Sequence, residues 1–284
     1  MDMKGIGRFF SKCIMICSAM VMATSCDEDA LSSILGDGDT VSALKEALTI
    51  GAKTAATNLG VEDGYLADAA VKIGLPDEIQ TVAELMQTDA GKTFLSAVGA
   101  NSMQPDSLIV AMNRAAEKAA PESAEIFANA ITSMTISDGE NILFGANNAA
   151  TEYLHEKTYS GLQSTFGNVV TSTFSQVQVS GKNLNDFWSS FSSEYNNIVS
   201  YKSDTKGKLA MAALKIGLSK AGKSDLYNKI DALETVNTNL GEYVTGKALD
   251  GLFLKVADKE ADIRTNAASR TSELLKKVFG RLDN

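Results

Sequence analysis

The chain has 284 residues, of which 44% are hydrophobic and 21% are charged, and its formal net charge at pH 7 is −9. This acidic balance excludes a nucleic-acid-binding protein, because such proteins gain most of their affinity from Lys and Arg side chains that neutralise phosphates. The length is sufficient for one large hydrophobic core.

The first 25 residues have the pattern of a bacterial lipoprotein signal. Basic residues are concentrated in 1–12, an apolar run covers 13–23, and small residues precede Cys26. The apolar run is about half of the roughly twenty residues that a membrane-spanning helix needs, so the pattern predicts a cleaved export signal rather than an anchor helix. Cleavage would make Cys26 the lipidated N-terminus of the mature protein.

An acidic run, Asp27, Glu28 and Asp29, follows Cys26 and begins a tether predicted over 26–40. Such a run resembles the export tags that carry some lipoproteins to the cell surface, whereas in other bacteria Asp after the lipidated Cys retains the protein in the inner membrane. A solvated linker is the third interpretation. We expect a cell-envelope protein that is attached to the outer membrane through its acyl chains, with the periplasmic or surface face left open.

The other two cysteines, Cys13 and Cys17, lie inside the predicted signal. The mature domain then has no free thiol, which excludes disulfides, cysteine-based zinc sites and thiol nucleophiles. Its stability must therefore come from apolar burial and helix packing.

Apolar residues recur at helical spacing through 41–284 and predict a single all-α, multi-helix globular bundle. The prolines are expected to start helices, so Pro121 should divide 105–133 into two. Residues 60–75 are predicted to be irregular with a short helical piece, and no window alternates long enough for a sheet. The predicted helices cover 40–58, a segment from Pro76, 105–120, 121–133, 138–144, 147–178 with a break near Ser160, 183–198, 205–219, 224–236, 240–264 and 267–281.

The segment from Leu240 is expected to be central, because its apolar residues fall on one helical stripe. The charged residues at its end, 258–264, are expected to project into water. The stripe consists of Tyr243, Val244, Leu249, Leu252, Phe253, Val256 and Ile263.

Several stretches together resemble a bacterial envelope family, domain of unknown function 4197, whose members are mostly predicted lipoproteins. The resemblance covers roughly 41–280 and implies a helical fold but no reaction. The chain departs from the family pattern at Gly74 and at Asn266-Ala267, where prolines are usual. The matching stretches are Leu59-Gly60, Asp63-Gly64-Tyr65, Val71-Lys72-Ile73, Met112 to Glu117, Ala120-Pro121-Glu122, Ala149-Ala150-Thr151 with Tyr153, Tyr243-Val244-Thr245, Lys247 to Phe253, Ala268 to Thr271 and Leu274 to Gly280.

No familiar catalytic or cofactor pattern is present. The single histidine is His155, and the sequence has no Gly-x-Ser-x-Gly elbow that would supply a nucleophilic serine for a histidine base. There is also no His-Glu-x-x-His pair for zinc. The glycine-lysine strings near Lys92 and Lys208 lack the upstream glycines of a phosphate loop. We expect no metal, no cofactor and no enzymatic activity.

Charged residues set among small apolar ones are the remaining candidates. Arg114 and Glu117, and likewise Lys247 and Asp250, are three residues apart and share a helix face. We expect them to join other polar residues in one cluster between helices, either as a structural network or as a ligand-facing patch; acid/base catalysis by Glu117 or Asp250 is the third alternative. The other expected members are Asn113, Thr151, Tyr153, Arg264 and Arg270.

These observations predict a non-catalytic binding or scaffolding module of the cell envelope. Its expected partners are the membrane, through the N-terminal lipid, and an unidentified envelope protein. The alternative is a helical carrier of a small apolar ligand or lipid, which would need an apolar cavity of several hundred Å³. An unknown hydrolase that uses carboxylates is a third hypothesis.

Overall fold

The computed structural model describes residues 37–133, 135–136 and 139–283, so the predicted signal, Cys26 and the acidic run Asp27, Glu28 and Asp29 lie outside the described part. Eleven α-helices account for most of these residues, and the predicted all-α fold is confirmed. They are α1 Asp37–Leu59, α2 Asp77–Met86, α3 Asp89–Val98, α4 Pro105–Ser133, α5 Gly139–Leu143, α6 Ala149–Thr173, α7 Leu184–Ser203, α8 Thr205–Lys220, α9 Ser224–Asp231, α10 Leu240–Thr265 and α11 Glu273–Phe279.

Four long helices form the centre of the fold. Helix α1 packs against α4 and α10, and α6 packs against the same two helices. Gly51 of α1 permits a close approach to α10, since an added Cβ would lie 3.2 Å from Cγ1 of Val256. The predicted stripe of α10 is buried in this centre, apart from the half-buried Tyr243. Its apolar residues therefore give α10 the central position that the sequence predicts.

The shorter helices surround this centre. Helix α3 packs on α8, which also contacts α7 and α9, while α2 contacts α3 and α9. Helices α5 and α11 pack against α1. All these helices contribute to one continuous cluster of buried apolar side chains.

Helix α4 corrects the predicted break at Pro121. The helix runs without interruption through this proline to Ser133. Proline in a helix interior costs about 3 kcal/mol, because it removes one backbone hydrogen bond and crowds the preceding turn. Burial of Ala120, Phe127 and Ile131 on the same helix offsets that cost, since all three are at most 1% exposed.

Other boundaries also differ from the predictions. Helix α6 has no break near Ser160, and α9 ends at Asp231. Residues 267–281 divide into a 3-10 turn at Ala267–Ser269, helix α11 and a second 3-10 turn. A two-residue antiparallel pair, β1 Gln178–Val179 and β2 Lys182–Asn183, joins α6 to α7. Loop 60–76, between α1 and α2, consists of turns and extended backbone, as predicted, but without a helical piece.

The junction between α7 and α8 requires a glycine. A Cβ added at Gly207 would lie 1.5 Å from the carbonyl oxygen of Tyr201, far inside any real contact. We expect Gly207→Ala to lower the free energy of unfolding by about 3 kcal/mol, because the two helices must separate. Gly161→Ala is the matched control: its Cβ would enter open space within α6 and should stabilise by about 0.5 to 1 kcal/mol. Urea unfolding measures both, and equal effects would contradict the prediction.

Candidate functional site

Glu117 of α4 holds loop 60–76. Its buried carboxylate accepts the backbone N–H groups of Tyr65 and Leu66, each at 3.2 Å, and pairs with Arg114 at 2.5 Å. Arg114 also donates to Asp63 at 2.7 Å. Burial and the nearby Glu117 raise the pKa of the Tyr65 hydroxyl far above its ordinary value, so the hydroxyl remains a donor.

Asn113, the neighbour of Arg114, holds the other end of the same loop. Its side-chain oxygen accepts the Ile73 N–H at 2.9 Å, and its side-chain nitrogen donates to the Ile73 carbonyl at 2.8 Å and to the Ile109 carbonyl at 2.7 Å. Asn113 is fully buried. Three predicted site residues on α4 therefore act together, and what they bind is this chain's own loop.

Only part of the charged end of α10 projects into water, which corrects the prediction for 258–264: Asp258 is exposed, but Glu260 and Arg264 are buried. Glu260 and Arg264 form an ion pair in which each side chain is 1% exposed. The Glu260 carboxylate accepts the N–H of Ala150 at 3.0 Å and both the N–H and the hydroxyl of Thr151 at 2.7 and 2.6 Å, at the start of α6. Four residues apart on one helix, Glu260 and Arg264 face the same side, and here that side is covered.

Arg264 completes the network at a second helix end. Its guanidinium donates to the carbonyl oxygens of Ile142 and Leu143, the last two residues of α5. The Glu260 carboxylate thus lies at the N-terminus of α6, and the Arg264 guanidinium lies at the C-terminus of α5. Each charge is opposite in sign to the partial charge of the helix end that it contacts, which is favourable. In this buried pair each carboxylate oxygen and each guanidinium nitrogen has a hydrogen-bond partner, so the pair fixes the relation of α5, α6 and α10.

Arg270 continues from this network. It donates to the backbone carbonyls of Ile263 and Arg264 and pairs with Asp283 at 2.5 Å. The hydrogen bond from Arg270 lowers the pKa of the Asp283 carboxyl. A second pair of this type joins Arg281 to Glu140, whose pKa is lowered for the same reason.

These two pairs predict acid sensitivity. A carboxyl group whose pKa is lower in the folded than in the unfolded state contributes stability above its unfolded pKa of about 4 and loses it as the pH falls through the folded value. We expect the urea midpoint to fall between pH 5 and pH 3. The fall should be smaller in the double variant Asp283→Asn with Glu140→Gln. An unchanged pH profile in that variant would contradict the assignment.

The remaining predicted site residues lie elsewhere. Tyr153 donates to the Thr135 carbonyl at 2.6 Å, Lys247 is exposed, and Asp250 is exposed and accepts from Tyr159 at 3.2 Å. The expected single cluster is thus divided into the loop contacts of α4, the Glu260 network with Thr151, Arg264 and Arg270, and separate surface residues. Glu260 was not among the predicted site residues, although its spacing of four from Arg264 indicates a shared helix face.

His155 is in an aromatic environment. Its ring centroid lies 4.4 Å from that of Tyr159 and 4.8 Å from that of Phe253. Among the residues that the structure describes, no group of three or more His, Cys, Asp or Glu side chains is placed to hold a metal ion. Within the same residues, no helix is long and apolar enough to cross a membrane.

A polar groove runs between α6 and α10. It has a volume of about 560 Å³ and is open to solvent. Thr171 and Thr245 use their hydroxyls to bond backbone carbonyls within their own helices, and Asn239 caps α10. Gln163 and Asn168 are exposed, and within the part of the chain that the structure describes their side-chain amides make no hydrogen bond to other protein groups. The polar groove is lined by Ser160, Gln163, Ser164, Gly167, Asn168, Thr171, Asn239, Gly241, Glu242 and Thr245.

Comparison with known proteins identifies a family but no activity. The family model described as "Protein of unknown function (DUF4197)" matches residues 34–280. No curated protein and no solved structure matches the chain.

Proposed function

The chain belongs to the DUF4197 family, and from that premise we propose that it is a lipid-anchored, non-catalytic binding module of the cell envelope. The polar groove is the observation that carries this proposal. It offers two free amides and several hydroxyls on one open surface, with Glu242 as its single charged lining residue. Such chemistry suits a neutral partner that supplies many hydrogen-bonding groups.

The buried charges support a non-catalytic role. The charged side chains that the structure describes as buried are Glu117, Glu260, Arg264 and Arg270. Each of them bonds backbone groups of a neighbouring segment. These four side chains hold the fold together through those bonds. Taking part in acid/base chemistry would require them to give up the bonds.

The anchor is proposed from the sequence pattern before Cys26. Metabolic labelling with radioactive palmitate tests it directly: the wild-type chain should incorporate label, and Cys26→Ser should not. Equal labelling of both would remove the anchor from the proposal.

The acidic run is proposed to direct sorting. Replacing Asp27, Glu28 and Asp29 by alanine should change the accessibility of the protein to protease added to intact cells. The same accessibility before and after the change would assign the run to a simple linker.

The groove is tested by co-purification from native membranes. We expect a reproducible envelope component to accompany the full-length protein after gentle extraction and to be identified by mass spectrometry. The double variant Gln163→Ala with Asn168→Ala should lose it, since both amides line the groove. A matched control, Gln80→Ala with Asn58→Ala, removes the same two amide types from exposed positions elsewhere and should retain it.

The same experiment addresses the alternative carrier function. A stoichiometric small apolar molecule or lipid in the purified protein would favour the carrier over the binding module. Loss of the component from both double variants, or from neither, would remove the groove as the binding surface.

A further inference from the structure

Helix α8 exposes apolar side chains to solvent. Leu209 is 73% exposed and Ile216 is 59% exposed, among the highest values for large apolar residues in the described part of the chain. Ala212 and Ala213 are exposed between them. At 100° per residue, positions 209, 212, 213 and 216 form one stripe along the helix.

The opposite side of α8 already packs against the protein. Met211, Leu214 and Leu218 are at most 5% exposed and belong to the continuous core. The exposed stripe is therefore not the helix's contribution to the fold. It is a second apolar face, directed away from the core.

Lysines flank this second face on both edges. On a helical wheel, Lys206 lies on one side of the stripe and Lys208 and Lys215 lie on the other, while Lys220 continues the stripe at its C-terminal end. Helix α8 contains no Asp or Glu, although the whole chain has a formal charge of −9. We call the exposed stripe with its four lysines the α8 face.

A surface groove adjoins the α8 face between α8 and α9. Its volume is about 380 Å³, and its lining includes Lys215, Lys220, Ser219 and Ser224 beside Ile216. The Lys215 amine lies 5.3 Å from the centre of the Tyr227 ring. The groove thus places two cations and two hydroxyls next to an apolar side chain, which is the combination that a phosphate headgroup with its adjoining acyl chain requires.

We propose that the α8 face docks on the surface of an anionic phospholipid bilayer. Apolar side chains in the middle enter the boundary between headgroups and acyl chains, while lysines on both edges meet lipid phosphates. Charge complementarity identifies this occupant, because the positive charge is concentrated around the apolar stripe of an acidic protein. The inference does not depend on the proposed lipid anchor, since it concerns residues of the folded domain.

A label on the α8 face tests the contact. The full chain, with Cys13, Cys17 and Cys26 changed to Ser, is given one new cysteine by Ala212→Cys and labelled with nitrobenzoxadiazole. We expect blue-shifted emission, and quenching by spin-labelled acyl chains, on equimolar phosphatidylglycerol and phosphatidylcholine vesicles. The effect should be much weaker on phosphatidylcholine alone. The control variant Thr57→Cys carries the same label at an exposed position of α1, where it should remain in water with either kind of vesicle.

Charge variants test the lysines. Each lysine near an anionic surface contributes about fivefold to binding, so Lys208→Gln with Lys215→Gln should lower the ratio of membrane-bound to water-exposed label about 25-fold. The control Lys53→Gln with Lys118→Gln makes the same charge change at exposed positions of α1 and α4 and should have little effect. Raising the salt concentration from about 0.1 M to about 1 M shortens the electrostatic screening length from about 10 Å to about 3 Å. This change should also weaken the contact.

Two results would overturn the proposal. The first is a label at position 212 that remains in water on anionic vesicles. The second is a blue shift that grows with protein concentration in the absence of vesicles, which would show that a second copy of the chain covers the face. Because all three cysteines are replaced, neither result bears on lipidation at Cys26.

Discussion

Glu260→Ala is expected to lower the free energy of unfolding by about 4 kcal/mol, more than any other single change proposed for this protein. Removing one member of a buried ion pair leaves the other charge uncompensated, at a cost of roughly 3 to 5 kcal/mol. Here the loss extends further, because the N–H groups of Ala150 and Thr151 also lose their acceptor. Urea unfolding monitored by far-UV circular dichroism measures the effect.

A double variant separates the ion pair from simple loss of packing. Replacing both Glu260 and Arg264 by Met keeps much of the buried volume and removes both charges, so it should cost less than Glu260→Ala alone. A double variant less stable than Glu260→Ala would contradict the assignment of the cost to an unpaired arginine. A neutral Glu260→Ala would contradict the buried network itself.

Glu117→Ala is expected to lower the free energy of unfolding by about 3 kcal/mol. The change leaves the N–H groups of Tyr65 and Leu66 without their acceptor and removes the buried one of the carboxylates that pair with Arg114. The effect should be concentrated in loop 60–76, where amide hydrogen exchange of Leu66 should become much faster than that of residues in α10. Hydrogen exchange with residue resolution measures this difference.

Two variants serve as controls for Glu117. Glu117→Gln keeps an oxygen that can accept both N–H groups but loses the charge, so its cost should be about half as large. Lys118→Ala, on the neighbouring exposed position, should change stability by less than about 0.5 kcal/mol. An equal loss for Glu117→Gln and Glu117→Ala would assign the effect to charge alone rather than to the loop contacts.

Sequence patterns predicted the helices better than the contacts between them. The stripe of α10 identified a central helix, because a helix that buries one face must carry apolar residues at helical spacing. The helix break predicted at Pro121 is wrong, because helix propensity includes the hydrogen bond that proline loses but not the burial of apolar residues on the same helix. The structure retains the helix through this position.

The candidate site was predicted in its parts and not in its arrangement. Asn113, Arg114 and Glu117 were recognised as polar residues on a helix surrounded by small apolar ones, and the structure brings these three together on loop 60–76. Lys247 and Asp250 have the same spacing, yet both are exposed. Spacing indicates which residues share a face, but it carries no information about whether another segment covers that face.

The amino-acid sequence by itself determined the helical class, the central position of α10 and the family, because these depend on local periodicity and on short matching stretches. The tertiary structure alone decided which charges are buried. Glu260 became an internal group because the start of α6, 109 residues away in the chain, lies against it and supplies the N–H groups that make burial of a carboxylate tolerable. Local sequence cannot specify such a partner, since the contact exists only after distant helices have packed.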